Sequence, residues 1–465
     1  MRKSTLALVA PLTAVALLAA ACGSDDSDSS SDDTTADTSA DTTGGDSGEA
    51  SGGGNGYAEL EAAQAGEYDG TSVSVIGVWT DNEEENFTGS LASFSEETGI
   101  DIAYEGVSDF ATLINVRVEA GDAPDIAMFP QPGLLGSFVE SGDAIDIGEF
   151  ITPEDLAENY GEGWIDLATF DDTLAGVFFR ASTKSIVWYP VKAWEEAGYE
   201  IPETWEELTA LQDQIVADGS TPWCISIEDG DNTGWVGTDW VEDVLLRTAP
   251  VEVYDQWITH EVAFDDPEVV EALDIVGDIW LNEDYVFGGT TGILSTWIGD
   301  TPTPMFAEGG PDCWMHRQAG WIIDFFPEDQ QEFGVDAAYF YLPSIEEADY
   351  GKPVLGAGDL AGAFDDRPEV RALMQYMSTP EAAEGWAAAG GFISPNSGLS
   401  SDAYANEGDA AQAEILVNAT TLRFDASDLM PPEVGAGSFW AGIVDWVEGQ
   451  SAADMLAAVE ASWPS

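Results

Sequence analysis

From Val73 to Gly133 the chain repeats one pattern, and that pattern limits the folds open to it. Val73-Ser-Val-Ile-Gly-Val-Trp79 alternates and is rich in branched residues, as a half-buried strand requires. Glu83 to Thr98 then places Phe87, Leu91 and Phe94 on one helical face, and Gly99 supplies the stop. Ile100, Ile102 and Tyr104 alternate again. A second helix is expected from Ser108, with Phe110, Leu113, Ile114 and Val118 inward and Gly121 at its end. Pro124-Asp-Ile-Ala-Met-Phe129 reads as a short strand buried on both faces. Strand, helix, strand, helix, strand in so short a span implies right-handed crossovers and a parallel sheet. Ligands of such sheets sit beyond the carboxyl ends of the strands. Two such ends are therefore marked: Trp79-Thr-Asp-Asn-Glu-Glu-Glu and Phe129-Pro-Gln131-Pro-Gly.

The first 56 residues stand apart from this pattern. Arg2 and Lys3 precede a largely apolar run from Leu6 to Leu18, and Ala19-Ala-Ala-Cys22 closes it. The run is shorter than the roughly 20 residues that span a bilayer, so residues 1–21 read as a secretory signal peptide. A cysteine after three small residues looks like a bacterial lipidation site, although Ala19 stands where a branched residue is more usual; an ordinary cleaved signal is the alternative. From Gly23 to Gly56 the chain is almost entirely Asp, Ser, Thr and Gly, with no Lys or Arg, so residues 22–56 are expected to be a lipidated Cys22 and a disordered acidic tether. The protein would then sit on the extracellular face of the cytoplasmic membrane, held by lipid alone.

Across all 465 residues, 89 acids face 12 bases, for a net charge of −77. Nucleic acid and anionic membranes are close to excluded as partners by such a field. No Asp-x-Asp-x-Asp-Gly calcium loop occurs, and a heavily solvated acidic surface suited to high ionic strength is the better reading. No metal and no cofactor is expected. With Cys22 assigned to lipid, an exported chain keeps Cys224 and Cys313, and a disulfide between them is the default; two buried free thiols are the alternative.

Beyond Gly133, Leu174 to Arg180 and Ser185 to Pro190 read as strands, and Thr204-Trp-Glu-Glu207 is a capping box opening a helix with Leu208, Leu211 and Ile215 inward. Several segments then occur in one familiar order. They include Asp125-Ile-Ala-Met-Phe, Ala-Gly-Val-Phe-Phe179, Trp188-Tyr-Pro, Pro202-Glu-Thr-Trp-Glu-Glu-Leu, Phe306-Ala-Glu-Gly-Gly, Gly356-Ala-Gly-Asp359, Ser378-Thr-Pro-Glu-Ala-Ala-Glu-Gly-Trp386 and Gly390-Gly-Phe-Ile-Ser-Pro395. In these the chain resembles family 1 extracellular solute-binding proteins, the receptors of ABC-type sugar importers. The Trp-Cys224 and Cys313-Trp-Met-His-Arg-Gln segments look more like the alpha-glucoside branch than the maltose branch. The resemblance implies an α/β, two-lobed, type II periplasmic-binding-protein-like fold with the ligand cleft between lobes. Residues 57–181 and 343–392 would form lobe 1, and residues 182–342 and 393–465 lobe 2. The crossings would fall near Arg180–Lys184, Tyr341–Pro343 and Gly391–Pro395. It also implies a carbohydrate ligand, an oligosaccharide or alpha-glucoside, delivered to ABC permease subunits after hinge closure.

The competing class is an exported glycoside hydrolase. The two histidines, His260 and His316, are far apart, and His-Glu-x-x-His, Gly-x-Ser-x-Gly and the phosphate loop are all missing. Paired carboxylates carry no signal among so many acids, so no enzyme activity is expected. Sugar binding needs flat apolar surfaces and strong hydrogen-bonding groups. The candidates are Trp79, Glu83 and Glu84 after the first strand, Gln131 between its prolines, Trp235, Asp239 and Trp240 in and after a Gly- and Asp-rich loop, and Asp359 after a Gly-rich strand end. By resemblance, Arg317 and Gln318 lie where a family loop turns toward the cleft, and Trp440 matches an aromatic pair lining the sugar site of maltose-binding members.

Overall fold

The structure, a computed structural model, describes residues 57–345, 350–418 and 421–464. The expected signal segment, Cys22 and the whole of the expected tether lie outside the described residues. Among the described residues, twelve strands follow in chain order: β1 Ser72–Gly77, β2 Asp101–Gly106, β3 Ile126–Phe129, β4 Thr169–Phe170, β5 Thr173–Leu174, β6 Gly176–Thr183, β7 Ile186–Pro190, β8 Thr221–Trp223, β9 Cys313–Arg317, β10 Ala337–Tyr341, β11 Val354–Ala363 and β12 Leu422–Phe424.

The expected alternation is present. β1 pairs in parallel with both β2 and β3, and helices connect them. The single helix expected over 83–98 is two, Asp81–Ser90 and Ala92–Thr98, which meet at Leu91. Phe87, Leu91 and Phe94 still face inward, because a break of one residue leaves the apolar stripe aligned. Gly99 closes the second helix at φ 72°, a left-handed conformation that a side chain would strain. The first sheet has the order β12-β11-β3-β1-β2, with β6 on the other edge of β11. β11 runs antiparallel to β3 and β6, so the sheet is mixed rather than purely parallel. Its core gathers Val73, Val75, Phe87, Ile126, Phe129, Phe178 and Leu360.

The second sheet has the order β10-β7-β9-β8. A separate core of Val187, Trp223, Trp240, Leu245, Trp257, Trp280 and Ile443 packs on it. The Thr204 capping box forms as expected: Glu207 N donates to Thr204 Oγ1 at 3.2 Å, and the Glu207 carboxylate accepts from Thr204 N. Cys224 and Cys313 are joined, with Cα atoms 5.5 Å apart. Their half-cystines lie buried against Ile186, Trp188 and Met305.

Two cores on two sheets make the fold two-lobed. β6 leads directly into β7, and β10, ending at Tyr341, is followed among the described strands by β11. The assignment of 393–465 wholly to the second lobe needs correction. Ile393 bridges Ala181 of β6, Leu399 packs in the first core, and β12 adds to β11 with Phe424 against Phe178. The chain joins the second core only from Ala426. The reason is local: Leu422-Arg-Phe424 is a short apolar strand whose partner, the β11 edge at Val354–Gly356, is left open by the first sheet.

Candidate ligand cleft

A cavity of about 460 Å³ lies between the two sheets, within the range of small-ligand sites. One wall comes from strand ends of the first sheet: Trp79 and Glu83 beyond β1, Gln131 beyond β3, Arg180 on β6 and Asp359 on β11. The other wall carries Trp235 and Asp239 from helix Trp235–Thr248, with Trp297, Trp321, Phe325 and Trp440. Asn232 Nδ2, from the segment leading into the second wall, donates to the carbonyl of Ser108 across the cavity mouth at 2.7 Å. A smaller cavity of about 270 Å³ shares Gln131, Ser427 and Asp428 with the first.

Two cations organise the floor. Arg180 Nη1 donates to Glu83 Oε1 at 2.7 Å, and its Nη2 donates to Gly391 O. Lys184 Nζ donates to Asp239 at 2.8 Å and to Asp425 at 2.5 Å, and lies 5.2 Å from the Trp235 ring centre. Lys184 thus ties β6's end to helix Trp235–Thr248 and to the residue after β12. Burial penalises the ammonium, but Asp239 and Asp425 raise its pKa further, so it stays charged. Burial pushes Asp239 well above the usual carboxylate range, against the lowering pull of Lys184. Burial also raises Asp359 and Asp324 to about 7 and Asp229 to about 6.

Of the expected residues, Trp79, Glu83, Gln131, Trp235, Asp239, Asp359 and Trp440 line this cavity. Four do not. Glu84 follows Glu83 on a helix, and a step of about 100° turns it away from the cavity. Trp240 is fully buried against Trp223 and Trp280, with centroids 5.2 and 5.9 Å apart, for the same helical reason one step after Asp239. Arg317 lies behind the wall: Nε and Nη2 donate to Asp243 at 3.1 and 2.8 Å, and both side chains are inaccessible. Gln318 is buried with its Oε1 accepting from Ala319 N at 2.8 Å. The turn toward the cleft comes three residues later, in the short helix Gly320–Phe325 that supplies Trp321 and Phe325. Trp79 also differs from an open stacking surface, since Phe87, Tyr104, Phe179 and Trp386 surround its ring.

Sequence reasoning missed Asp324, Trp297, Asp425 and Asp428 as cavity residues, gave Arg180 no role beyond the crossing, and left Lys184 between a ligand contact and a hinge salt bridge. A charged residue in the fully buried strand β6 was the available signal for Arg180, because a buried charge must have a partner.

The raised carboxyls set a pH dependence. A carboxyl whose folded pKa exceeds its unfolded value binds protons better when folded, so stability rises as pH falls through the folded pKa. Asp359 and Asp324 should each add about 1 kcal/mol between pH ~8 and ~6. His316, pushed by burial down to about 4, works the other way by somewhat less, because only the unfolded chain takes up its proton there. Scanning calorimetry of the sugar-free protein should therefore show a higher Tm at pH ~6 than at ~8, with part of the gain lost in Asp359→Asn. A lower Tm at the more acidic pH would rule this out.

The chain matches, over residues 80–384, the family described as bacterial extracellular solute-binding protein. It is 46% identical over 399 residues to the osmoprotective compounds-binding protein GgtB of Synechocystis sp., covering 86% of this chain and 94% of that one. It is 41% identical over 418 residues to the alpha-glucosides-binding periplasmic protein AglE of Rhizobium meliloti, covering 88% and 91%. Among solved structures, the bacterial solute receptor AcbH, described as preferring β-D-galactopyranose, aligns with a TM-score of 0.72 at 18% identity over 84% of this chain and 98% of that one.

Proposed function

Because the chain belongs to the bacterial extracellular solute-binding protein family, we propose that it is the receptor of an ABC-type importer and that it captures a small α-linked glycoside in the cleft between its lobes. The observation that carries this reading is the cavity's lining. Trp235, Trp321 and Trp440 offer apolar surface for sugar C–H faces, while Glu83, Arg180, Asp239 and Gln131 offer charged or amide groups for hydroxyls. Likeness to an alpha-glucosides-binding relative supports the sugar class, and likeness to an osmoprotectant-binding one keeps the ligand small. A lipid on Cys22 would tether the receptor beside its permease; the mass of the native amino terminus tests that part.

A glycoside hydrolase is the competing class, and one experiment separates the two. Calorimetry with trehalose, maltose and sucrose should give saturable heat for at least one of them, with no product on chromatography. Trp235→Ala should weaken that binding by roughly ten- to a hundredfold, since burying the exposed face of an aromatic ring against the ligand is worth up to about 1.5–3 kcal/mol. Released monosaccharide would contradict the receptor reading, and undiminished affinity in the variant would remove Trp235 from the site.

A further inference from the structure

The cavity's two cations are already committed. Arg180 stands opposite Asp359 in the β6–β11 register, yet it gives its guanidinium to Glu83 and Gly391 O. Lys184 spends its hydrogen bonds on Asp239 and Asp425. Two further carboxylates, Asp359 and Asp428, line the cavity while only 8% and 7% exposed. Among the described residues neither side chain has a hydrogen-bond or ion-pair partner.

A buried carboxylate without a partner is costly, so two of them facing one space ask for something to enter it. The other unsatisfied buried atoms on these walls point the same way. Among the described residues, Gln131 Oε1, Asp239 Oδ2 and Asp324 Oδ2 are acceptors without donors, and only Trp440 Nε1 is a donor without an acceptor. Acceptors outnumber donors, and neither Asp359 nor Asp428 has a counter-ion within hydrogen-bonding reach, so burial favours their neutral forms until a cation enters and draws them into the ionised one. Sugar hydroxyls donate one hydrogen bond each and also need to accept. An ammonium donates three, accepts none and carries the missing charge. The aromatic walls add favourable ring faces for a cation. Among the described residues no group of three or more His, Cys, Asp or Glu is placed to hold a metal ion, and the aromatic walls favour an organic cation.

We propose that the cleft selects a glycoside bearing a protonated amine, with its ammonium seated at Asp359 and Asp428 and its sugar ring against the tryptophans. This rests on the sugar-receptor reading and narrows its ligand class.

The test compares ligands that differ only in the amine: trehalose, trehalosamine and N-acetyltrehalosamine, and glucose beside glucosamine, titrated calorimetrically at about pH 7, where a sugar amine near the α-amino range is largely charged. Trehalosamine should bind at least about tenfold more tightly than trehalose, a difference of one charge-assisted contact, and N-acetylation should erase the gain. In Asp359→Asn and Asp428→Asn the ratio between the two sugars should collapse toward one. The acetylated sugar keeps the proposal testable if a variant does not fold. Trehalose binding as well as or better than trehalosamine would overturn the inference and leave the receptor reading standing, with the two carboxyls then serving hydroxyls as neutral acids. An amine preference that survives both substitutions would overturn the placement. Absence of saturable binding by any of these sugars would overturn the inference, and the receptor reading would fall with it only if maltose and sucrose also gave no heat.

Discussion

Arg317→Ala should destabilise the sugar-free protein by about 3–5 kcal/mol, the usual cost of breaking a buried ion pair from one side. The variant would leave Asp243 charged in the interior. Asp243 accepts from Arg317 and Arg247 and from Ser185 Oγ, and this network holds its carboxyl below the usual range even though burial opposes ionisation. Arg247 alone then has to balance a carboxylate that two guanidiniums now share. Arg317 also lies 5.4 Å from the Trp240 ring centre and donates to the Asp239 carbonyl, so its loss would loosen the helix that carries the cleft's second wall. Thermal unfolding without ligand is the measurement. A Tm close to wild type would return Arg317 to an open cleft, where the family resemblance first put it. Trp235→Ala is the useful contrast, because Trp235 is only half-buried at that helix's first turn and its removal should leave the melt nearly unchanged.

The second large effect is expected from Cys224→Ala combined with Cys313→Ala. The bridge closes a separation of 89 residues, which in the chain-entropy picture contributes about 4–5 kcal/mol. Chemical denaturation of the mature domain should show that loss, and the wild type should acquire the same lower midpoint in reductant. β8 and β9, which pair at Thr221–Cys313 and Trp223–Met315, hold the bridge together from the backbone side. If removal of both cysteines leaves the midpoint in place, the link carries no stability.

These two cases show where sequence reasoning reached and where it stopped. β1 to β3 were legible because each element is amphipathic or wholly apolar at its own period, and the capping box at Thr204 is a local chemical signature. The cysteine pair was legible by elimination. Helix Trp235–Thr248 was legible only from Trp240 to Arg247, and its opening turn was read as part of a Gly- and Asp-rich loop. Every residue from Val236 to Arg247 is buried, including Asp239, Glu242, Asp243 and Arg247. A helix buried all round has no polar face, so its acids break the apolar period instead of marking it. Their partners, Lys184, Arg317 and the Ala426 and Ser427 amides, lie far away in sequence. Trp240 and Arg317 were misplaced for one reason: residue type suggested a ligand contact, and only the fold shows which side of the wall each occupies. Asp425 and Asp428 follow the three-residue strand β12, too short for periodicity to reveal, and so the cleft's floor had no local signature.

The cleft is lined from both lobes, and the proposed ligand would draw on both. Such a ligand shifts the open–closed balance by its difference in affinity for the two forms. Asn232 reaching Ser108, and Lys184 tying β6's end to the second lobe, are the contacts that closure would keep or make. The most direct measurement is small-angle scattering with and without a saturating α-linked disaccharide or its amino analogue. The account predicts a smaller radius of gyration on adding sugar, with the transition displaced to higher sugar concentration in Trp235→Ala. Sugar that binds with full calorimetric saturation yet leaves the radius unchanged would contradict capture by closure between the lobes.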